Sequence, residues 1–176
     1  RRPRRRLRRP RPREHVTPVR GERTPRMEHL IGHIIRALYV APGEEQLAFV
    51  TDTATITYGV DADCCSETWF ADVLGVNALL GATVTAVADL ELPAGYDAQN
   101  DGRTRQDEDD VYGHTIVTDR GRCTIIYRNS SNGYYGGRLT GPCVVEAPLI
   151  PEGWRRAIDG IEAPLAWRRI TDDWSA

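Results

Sequence analysis

The chain has 176 residues, of which 40% are hydrophobic, and its 23 basic residues, all of them arginine, stand against 25 acidic ones. This composition indicates a globular domain rather than a disordered chain. No apolar run approaches the roughly 18 residues of a membrane-spanning helix. Because lysine is absent, chemistry that needs a P-loop lysine or a Schiff-base lysine is excluded.

The first 26 residues form an arginine- and proline-rich head. They hold 12 arginines against 2 glutamates, a charge of +10, whereas residues 27–176 hold 11 arginines against 23 acidic residues, a charge of −12. With few aliphatic side chains to bury, the head is predicted to be disordered. It is either a basic arm that binds nucleic-acid phosphates or, the favoured interpretation, the product of a wrongly chosen translation start upstream of Met27. The acidic remainder argues against nucleic-acid binding by the main domain.

From Met27 onward, the chain reads as two similar halves. Each half has a Leu-x-Gly turn before a strand, then a Thr-Asp hairpin, then a strand that ends in tyrosine. The matching segments are Leu30–Leu38 with Leu79–Val87, Val50–Asp52 with Val117–Asp119, and Thr55–Tyr58 with Thr124–Tyr127. Because order and residue identity both agree, an internal duplication is favoured over chance similarity between β-rich segments.

Alternating apolar and polar residues predict short antiparallel strands. In the first half, Pro42-Gly43 is typical of a turn between strands over Ile34–Val40 and Gln46–Val50. In the second half, a turn at Asp119–Gly121 separates two further strands.

One main helix is predicted between the halves, over Glu67–Leu74. Trp69, Phe70, Val73 and Leu74 recur at i, i+1, i+4 and i+5, a spacing that places them on one apolar stripe. The predicted fold class is therefore α+β, with an antiparallel sheet built from two duplicated strand–hairpin halves and one main helix between them.

Three segments are predicted along the chain. Residues 1–26 are the head, and residues 27–140 are the α+β domain. An acidic insertion over residues 94–111 reads as an exposed loop. Residues 141–176 form a C-terminal extension that is expected to pack through its tryptophans, which are Trp154, Trp167 and Trp174.

Two polar loops follow the matching tyrosines Tyr58 and Tyr127, so a pseudo-twofold axis would bring the loops to related, adjacent positions. Tyrosines supply flat contact area, and asparagine and serine supply adaptable hydrogen bonds, which favours a binding surface. Arg128 is expected to neutralise the carboxylates opposite it. The alternative, left open, is that the tyrosines of the second loop cover the core. The candidate binding residues are Asp61, Asp63, Glu67, Arg128, Asn129, Ser130, Asn132, Tyr134 and Tyr135.

Cys64 and Cys65 precede the predicted helix, where the helix dipole and free amides would lower a thiol pKa. One of them could then act as a nucleophile, assisted by the charge of His114 or Arg128. The alternative is that one cysteine is buried as a small apolar residue and the other is incidental. Cys65 is expected to be the buried one, because the predicted helix must face the core there.

Two metal sites are considered and disfavoured. A zinc site would draw on Cys64, Cys65, Cys123, Cys143 and a histidine, but no Cys-x-x-Cys pair exists. A calcium loop over residues 97–108 would use Asp97, Asp101 and Glu108, but Gln99 breaks its third position and no entering helix is predicted. No motif predicts a cofactor.

The two loops also carry a resemblance. The motif Asp-Cys-Cys-Ser-Glu-Thr-Trp-Phe at residues 63–70, and Arg-Asn-Ser-Ser-Asn-Gly-Tyr-Tyr-Gly-Gly at residues 128–137, resemble a family of uncharacterised phage and bacterial proteins with a domain of unknown function. The similarity runs from about Leu30 to Leu139. It implies a phage or mobile-element setting and no particular activity.

A soluble, cytoplasmic binding or accessory protein is therefore predicted, acting on a host protein or a small ligand, with no membrane partner. The alternative is a cysteine-dependent enzyme that uses Cys64 or Cys65.

Overall fold

The computed structural model describes residues 27–96 and 103–157, which form two antiparallel β-sheets. The strands are β1 Ile35–Val40, β2 Gln46–Thr51, β3 Thr55–Ala62, β4 Glu67–Leu74, β5 Val84–Asp89, β6 Glu108–Thr118, β7 Gly121–Ser131, β8 Gly137–Val145 and β9 Arg155–Arg156. Within the described residues, helical structure is limited to a 3₁₀ turn over Met27–Leu30 and a four-residue helix, α1, over Val76–Leu79. The domain is therefore nearly all β.

The two halves of the chain exchange one strand each. Strands β1, β2 and β3 form a meander in the first sheet, where β8 is added beside β3 and β9 beside β1. Strands β5, β6 and β7 form a meander in the second sheet, where β4 is added beside β7. Each half thus gives three consecutive strands to one sheet and its fourth strand to the other.

The halves also meet in a joint made of backbone. When Leu30 is aligned with Leu79, Ile34 matches Thr83, and these two residues form an antiparallel bridge. The backbone hydrogen bonds around the bridge are reciprocal in the same alignment. In the first matched pair, Gly32 N donates to Val84 O (2.8 Å) and Gly81 N donates to Ile35 O (2.7 Å). In the second, Ile35 N donates to Ala82 O (3.1 Å) and Val84 N donates to His33 O (3.0 Å). We call residues 30–35 and 79–84 the symmetric joint.

The hairpin turns of the two halves are built alike. Thr51 Oγ1 donates a hydrogen bond to the carbonyl oxygen of Ala54 (2.9 Å), and Thr118 Oγ1 shares its proton between the carbonyl oxygens of Gly121 (3.1 Å) and Ala78 (2.9 Å). In each turn the hydroxyl also accepts the amide two residues further on, at 3.2 and 3.1 Å. A buried threonine thus sets both turns, as hydroxyl side chains commonly do.

One apolar core lies between the two sheets. It contains Leu38 and Phe49 from the first sheet and Ile116 and Ile125 from the second, and each of these side chains is fully buried. Because both sheets contribute to a single cluster, the burial of apolar surface holds them face to face.

The predictions of an α+β class and of a main helix are wrong, because Glu67–Leu74 forms strand β4. Phe70 and Val73 point into the core, whereas Trp69 and Ala71 pack in a second cluster on the other face of the sheet. A register shift just after Phe70 interrupts the alternation. A strand covered on both faces and bulged in the middle produces the same i, i+1, i+4, i+5 spacing as an amphipathic helix.

The domain continues past residue 140. Strand β8 runs to Val145, and β9 pairs with β1 through Arg155 and Arg156. Trp154 packs against a small buried cluster that includes Tyr39 and Val50. The head of residues 1–26, together with Trp167 and Trp174, lies outside the described residues. In the part of the chain that the structure describes, no helix combines the length and apolar character needed to cross a membrane.

Candidate functional site

The two polar loops lie side by side at one end of the sheets. Each loop carries the chain from one sheet to the other, residues 63–66 between β3 and β4 and residues 132–136 between β7 and β8. The amide of Asp63 donates to the carbonyl oxygen of Gly136 (3.0 Å), and the amide of Gly136 donates back to Asp63 Oδ2 (3.2 Å). Ser66 Oγ also donates to the Gly136 carbonyl oxygen (3.1 Å). We call residues 61–67 and 132–138 together the paired-loop surface.

Arg138, which the sequence analysis did not single out, is the cation of this surface. Its guanidinium forms an ion pair with Asp61 and lies 3.5 Å from Asp63 Oδ1. Asp61 faces Arg138 directly in the β3–β8 register. Because that pairing depends on β8 crossing to the sheet of the first half, only the sheet order could have revealed it.

Tyr134 is the most exposed large side chain of the surface, with 84% of it accessible. Its ring stands at 78° to that of Tyr135, with the centroids 5.1 Å apart. The turn beneath it is set by Asn132, whose Oδ1 accepts the Tyr134 amide at 3.1 Å. The aromatic pair is therefore displayed by an ordered turn, and Tyr134 does not cover the core.

Asn129, predicted to contact a ligand, is fully buried and supports the loop instead. Its Nδ2 donates to the carbonyl oxygen of Tyr135 (3.0 Å), and its Oδ1 accepts from Thr68 Oγ1 (2.9 Å). Gly137 passes directly over these two side chains, and a Cβ there would overlap both of them.

Arg128 and Ser130 are buried as well, on strand β7. Arg128 pairs with Asp109 rather than with the carboxylates of the first loop. Burial lowers the pKa of Arg128, but Asp109 and, after it, Tyr96 together outweigh burial, so the pKa is raised. Ser130 Oγ accepts the backbone amide of Gln106 at 2.8 Å. These residues attach the segment before β6 to the sheet and are not open to a ligand.

The described part of the acidic insertion packs on the outer face of β4. The guanidinium carbons of Arg103 and Arg105 lie 4.7 and 5.6 Å from the centre of the Trp69 ring. Arg103 also pairs with Glu67 (2.5 Å) and Glu44 (2.7 Å). An exposed loop is therefore an incomplete description of this segment. The two arginines that interrupt its acidic run are the sequence feature that indicates the packing on Trp69.

Tyr96 also belongs to the described part of the acidic insertion. Its hydroxyl donates a hydrogen bond to Asp72, a carboxylate with no exposed surface. Burial, and next the Asp72 carboxylate, raise the pKa of Tyr96, so that it stays protonated as a donor.

Cys64 and Cys65 occupy the first loop, and the element that begins two residues later is strand β4 rather than a helix. Both side chains are exposed, so the expectation that Cys65 is buried is wrong. The two Sγ atoms lie 3.2 Å apart, and Cys65 adopts a left-handed backbone conformation with φ of 64°. The hydrogen bond with Cys65, and then its charge, raise the pKa of Cys64. The helix-dipole argument for an activated thiol therefore does not apply.

The residues proposed to assist or extend the cysteine pair lie elsewhere. His114 is buried on β6, opposite Ile125. Strand β6 reaches the paired loops at Glu108, and His114 lies six residues further along, about 20 Å at the usual rise per residue. Cys123 is buried in the core, and Cys143 is exposed on β8 opposite Thr57.

Within the described residues, neither metal alternative has a ligand set. Among residues 27–96 and 103–157, no group of three or more histidine, cysteine, aspartate or glutamate side chains is placed to hold a metal ion. Asp97 and Asp101 of the calcium alternative lie outside the described residues, and Glu108 begins β6 opposite Ser131.

The comparisons with known proteins identify a family without a known activity. Residues 28–140 match a family model described as a domain of unknown function, DUF7448. No curated protein and no solved structure matches the chain.

Proposed function

Since the chain belongs to the DUF7448 family, whose function is unknown, we propose its role from the site itself: it is a binding module that recognises a protein partner through the paired-loop surface. Its proposed setting is a phage or mobile element, where it acts as an accessory protein on a host protein. The resemblance of the two loop motifs supports that setting.

The observation that carries this proposal is a projecting tyrosine on two loops that are bonded to each other. A solvated aromatic ring at 84% exposure contributes little to folding, whereas on association it supplies large contact area at low entropic cost. The reciprocal hydrogen bonds between Asp63 and Gly136 hold the loops before any partner arrives. Such preorganisation reduces the entropy lost on binding.

The charges around Tyr134 suit a polar rim. Asp61, Asp63 and Arg138 are all about half exposed, and both carboxylates face the Arg138 guanidinium. Charged groups at the edge of an interface contribute mainly to specificity and to association rate, while a central aromatic residue carries most of the affinity. The surface therefore suits a protein partner better than a small ligand enclosed in a cavity.

The alternative of a cysteine-dependent enzyme gains no support from the geometry. Such an enzyme needs a base within hydrogen-bond reach of the thiol, and His114 lies on another part of the sheet.

Site-specific photo-crosslinking tests the binding proposal. A photoreactive phenylalanine analogue at position 134 should give discrete crosslinked species in the native host. The same analogue at Thr53, an exposed residue in the β2–β3 turn at the opposite end of β3, should give none. Excess unlabelled chain should compete, and excess Tyr134→Ala chain should not.

Equal crosslinking at both positions, or equal competition by the Tyr134→Ala chain, would refute recognition through this surface. Crosslinks restricted to small molecules would replace the protein partner with a small ligand.

A further inference from the structure

Two neighbouring thiols are displayed at the tip of the first loop. Cys64 and Cys65 are both exposed, and their Sγ atoms lie 3.2 Å apart. The loop that carries them is fixed on both sides. The Ser66 amide donates to the Asp63 carbonyl oxygen (3.1 Å), and Gln106 Nε2 donates to the Cys65 carbonyl oxygen (3.2 Å). The thiols therefore stay close together without any rearrangement of the sheets.

Arginines face the two acidic side chains that flank the thiols in the sequence. Glu67 is paired with Arg103, and Asp63 lies beside Arg138. Unpaired carboxylates would oppose formation of a thiolate, which is the nucleophile in thiol chemistry. Each of these two carboxylates faces an arginine, which is shared with Asp61 in the case of Arg138 and with Glu44 in the case of Arg103, so their opposition to a thiolate is reduced.

We propose that Cys64 and Cys65 form a modification site that exchanges with low-molecular-weight disulfides such as oxidised glutathione. One thiolate attacks a sulfur of the small disulfide, forms a mixed disulfide and displaces one small thiolate, which takes up a proton. The thiolate of the neighbouring cysteine then attacks the protein-bound sulfur and displaces the second small thiol. The cysteine pair loses two electrons and two protons, and the small disulfide is reduced to two thiols.

The product is expected to be easily reversed. Adjacent α-carbons lie about 3.8 Å apart across a trans peptide bond, below the roughly 4.4–6.8 Å usual for disulfide-linked residues. Strained and exposed disulfides have the higher reduction potentials that characterise labile bonds. The modification therefore suits a reversible change of the loop rather than a structural crosslink.

Cys143 provides a matched control within the chain. It is exposed on β8, and in the β3–β8 register it faces Thr57, whereas the paired loops join that ladder at Ala62. Strand spacing places these two positions about 15 Å or more apart. A mixed disulfide formed at Cys143 has no neighbouring thiol to resolve it.

The test is exposure of the whole reduced chain to oxidised glutathione, followed by alkylation of the remaining thiols and peptide mass mapping. Cys64 and Cys65 should lose two hydrogens as a pair and retain no glutathione, while Cys143 retains it. Cys64→Ser and Cys65→Ser chains should each accumulate the adduct on the remaining cysteine. Reduction with dithiothreitol should restore both thiols, and circular dichroism should show unchanged folding.

Stable glutathione adducts on Cys64 or Cys65 in the unsubstituted chain, at the level seen on Cys143, would overturn the proposal. So would the absence of any reaction at the pair under conditions that modify Cys143. The experiment contains no binding partner, so its outcome is separate from that of the crosslinking test.

Discussion

The symmetric joint and the paired-loop surface connect the same two halves by different means. At the joint, matching residues contact one another through backbone atoms, and its first residues, Leu30 and Leu79, are fully buried. At the paired loops, the contacts involve the side chains of Asp63 and Ser66, and the two loops carry different chemistry. One presents a pair of thiols and the other a pair of tyrosines. Symmetry is kept where packing determines stability and is lost where side chains face solvent, which is the usual location of function.

The largest expected effect tests the equivalence at the joint. Leu30→Ala and Leu79→Ala should each lower the free energy of unfolding by about 2–5 kcal/mol, because each removes a fully buried side chain from the shared core. Urea unfolding followed by tryptophan fluorescence measures the loss. Ile31→Ala, at a side chain that is 46% exposed, is the control that should change little. A large loss at only one leucine would show that the two halves do not contribute equally to the free energy of unfolding.

A smaller loss is expected where the paired loops pass over the sheet. In Gly137→Ala, the new methyl group would overlap Thr68 Oγ1 and Asn129 Oδ1, and such overpacking costs about 1–3 kcal/mol. Gly136→Ala is the matched control, because its Cβ would meet only Asp63 Oδ2 at an ordinary 3.8 Å. Thermal unfolding of both variants provides the comparison. Equal stability of the two would mean that the close approach at residue 137 relaxes without cost.

The hairpin turns sharpen the comparison further. Thr51→Val and Thr118→Val each remove a buried hydroxyl that bonds its own turn, at an expected cost of about 1 kcal/mol. Thr51→Ser and Thr118→Ser should recover most of that loss because they retain the hydroxyl. Urea unfolding, with hydrogen exchange at the turn amides, measures both. Valine variants as stable as the unsubstituted chain would show that the hydroxyl does not stabilise its turn.

The smallest stability effect is expected at Tyr134, the most exposed large hydrophobic side chain among the described residues. Tyr134→Ala should change the free energy of unfolding by less than about 0.5 kcal/mol, because 84% of the side chain is already in water. Under the proposed function, the same variant loses partner crosslinking. A substantial loss of stability would indicate that Tyr134 supports its own loop.

Part of this architecture is readable from the sequence because local chemistry determines it. The hydroxyls of Thr51 and Thr118 specify their turns within three residues, and the Leu-x-Gly segments repeat at the joint. The prediction of a helix over Glu67–Leu74 was wrong because the segment is a strand buried on both faces of a sheet. Sequence spacing alone does not distinguish that pattern from the apolar stripe of a helix. Trp69 is covered by Arg103 and Arg105 of the insertion. Nothing in the sequence close to residue 69 indicates this contact.

The candidate site was only partly predictable for the same reason. Its exposed members, such as Asp63 and Tyr134, follow from loop composition. Asn129 and Ser130 have the same polar character but point inward, because β7 is covered on both faces. Arg138 depends on a strand pairing between residues more than 70 positions apart, which no short motif encodes.

The exchange of the fourth strands has a consequence for how the chain holds together. A fragment that ends after β4 would have no β7 to receive that strand, and a fragment that begins at α1 would have no β3 to receive β8. Each fragment alone would leave its fourth strand unpaired and an open ladder in water. Two such fragments would complement one another as the parts of a split protein do. The linker through Gly75 therefore joins, in one chain, two sets of strands that complete each other's sheets.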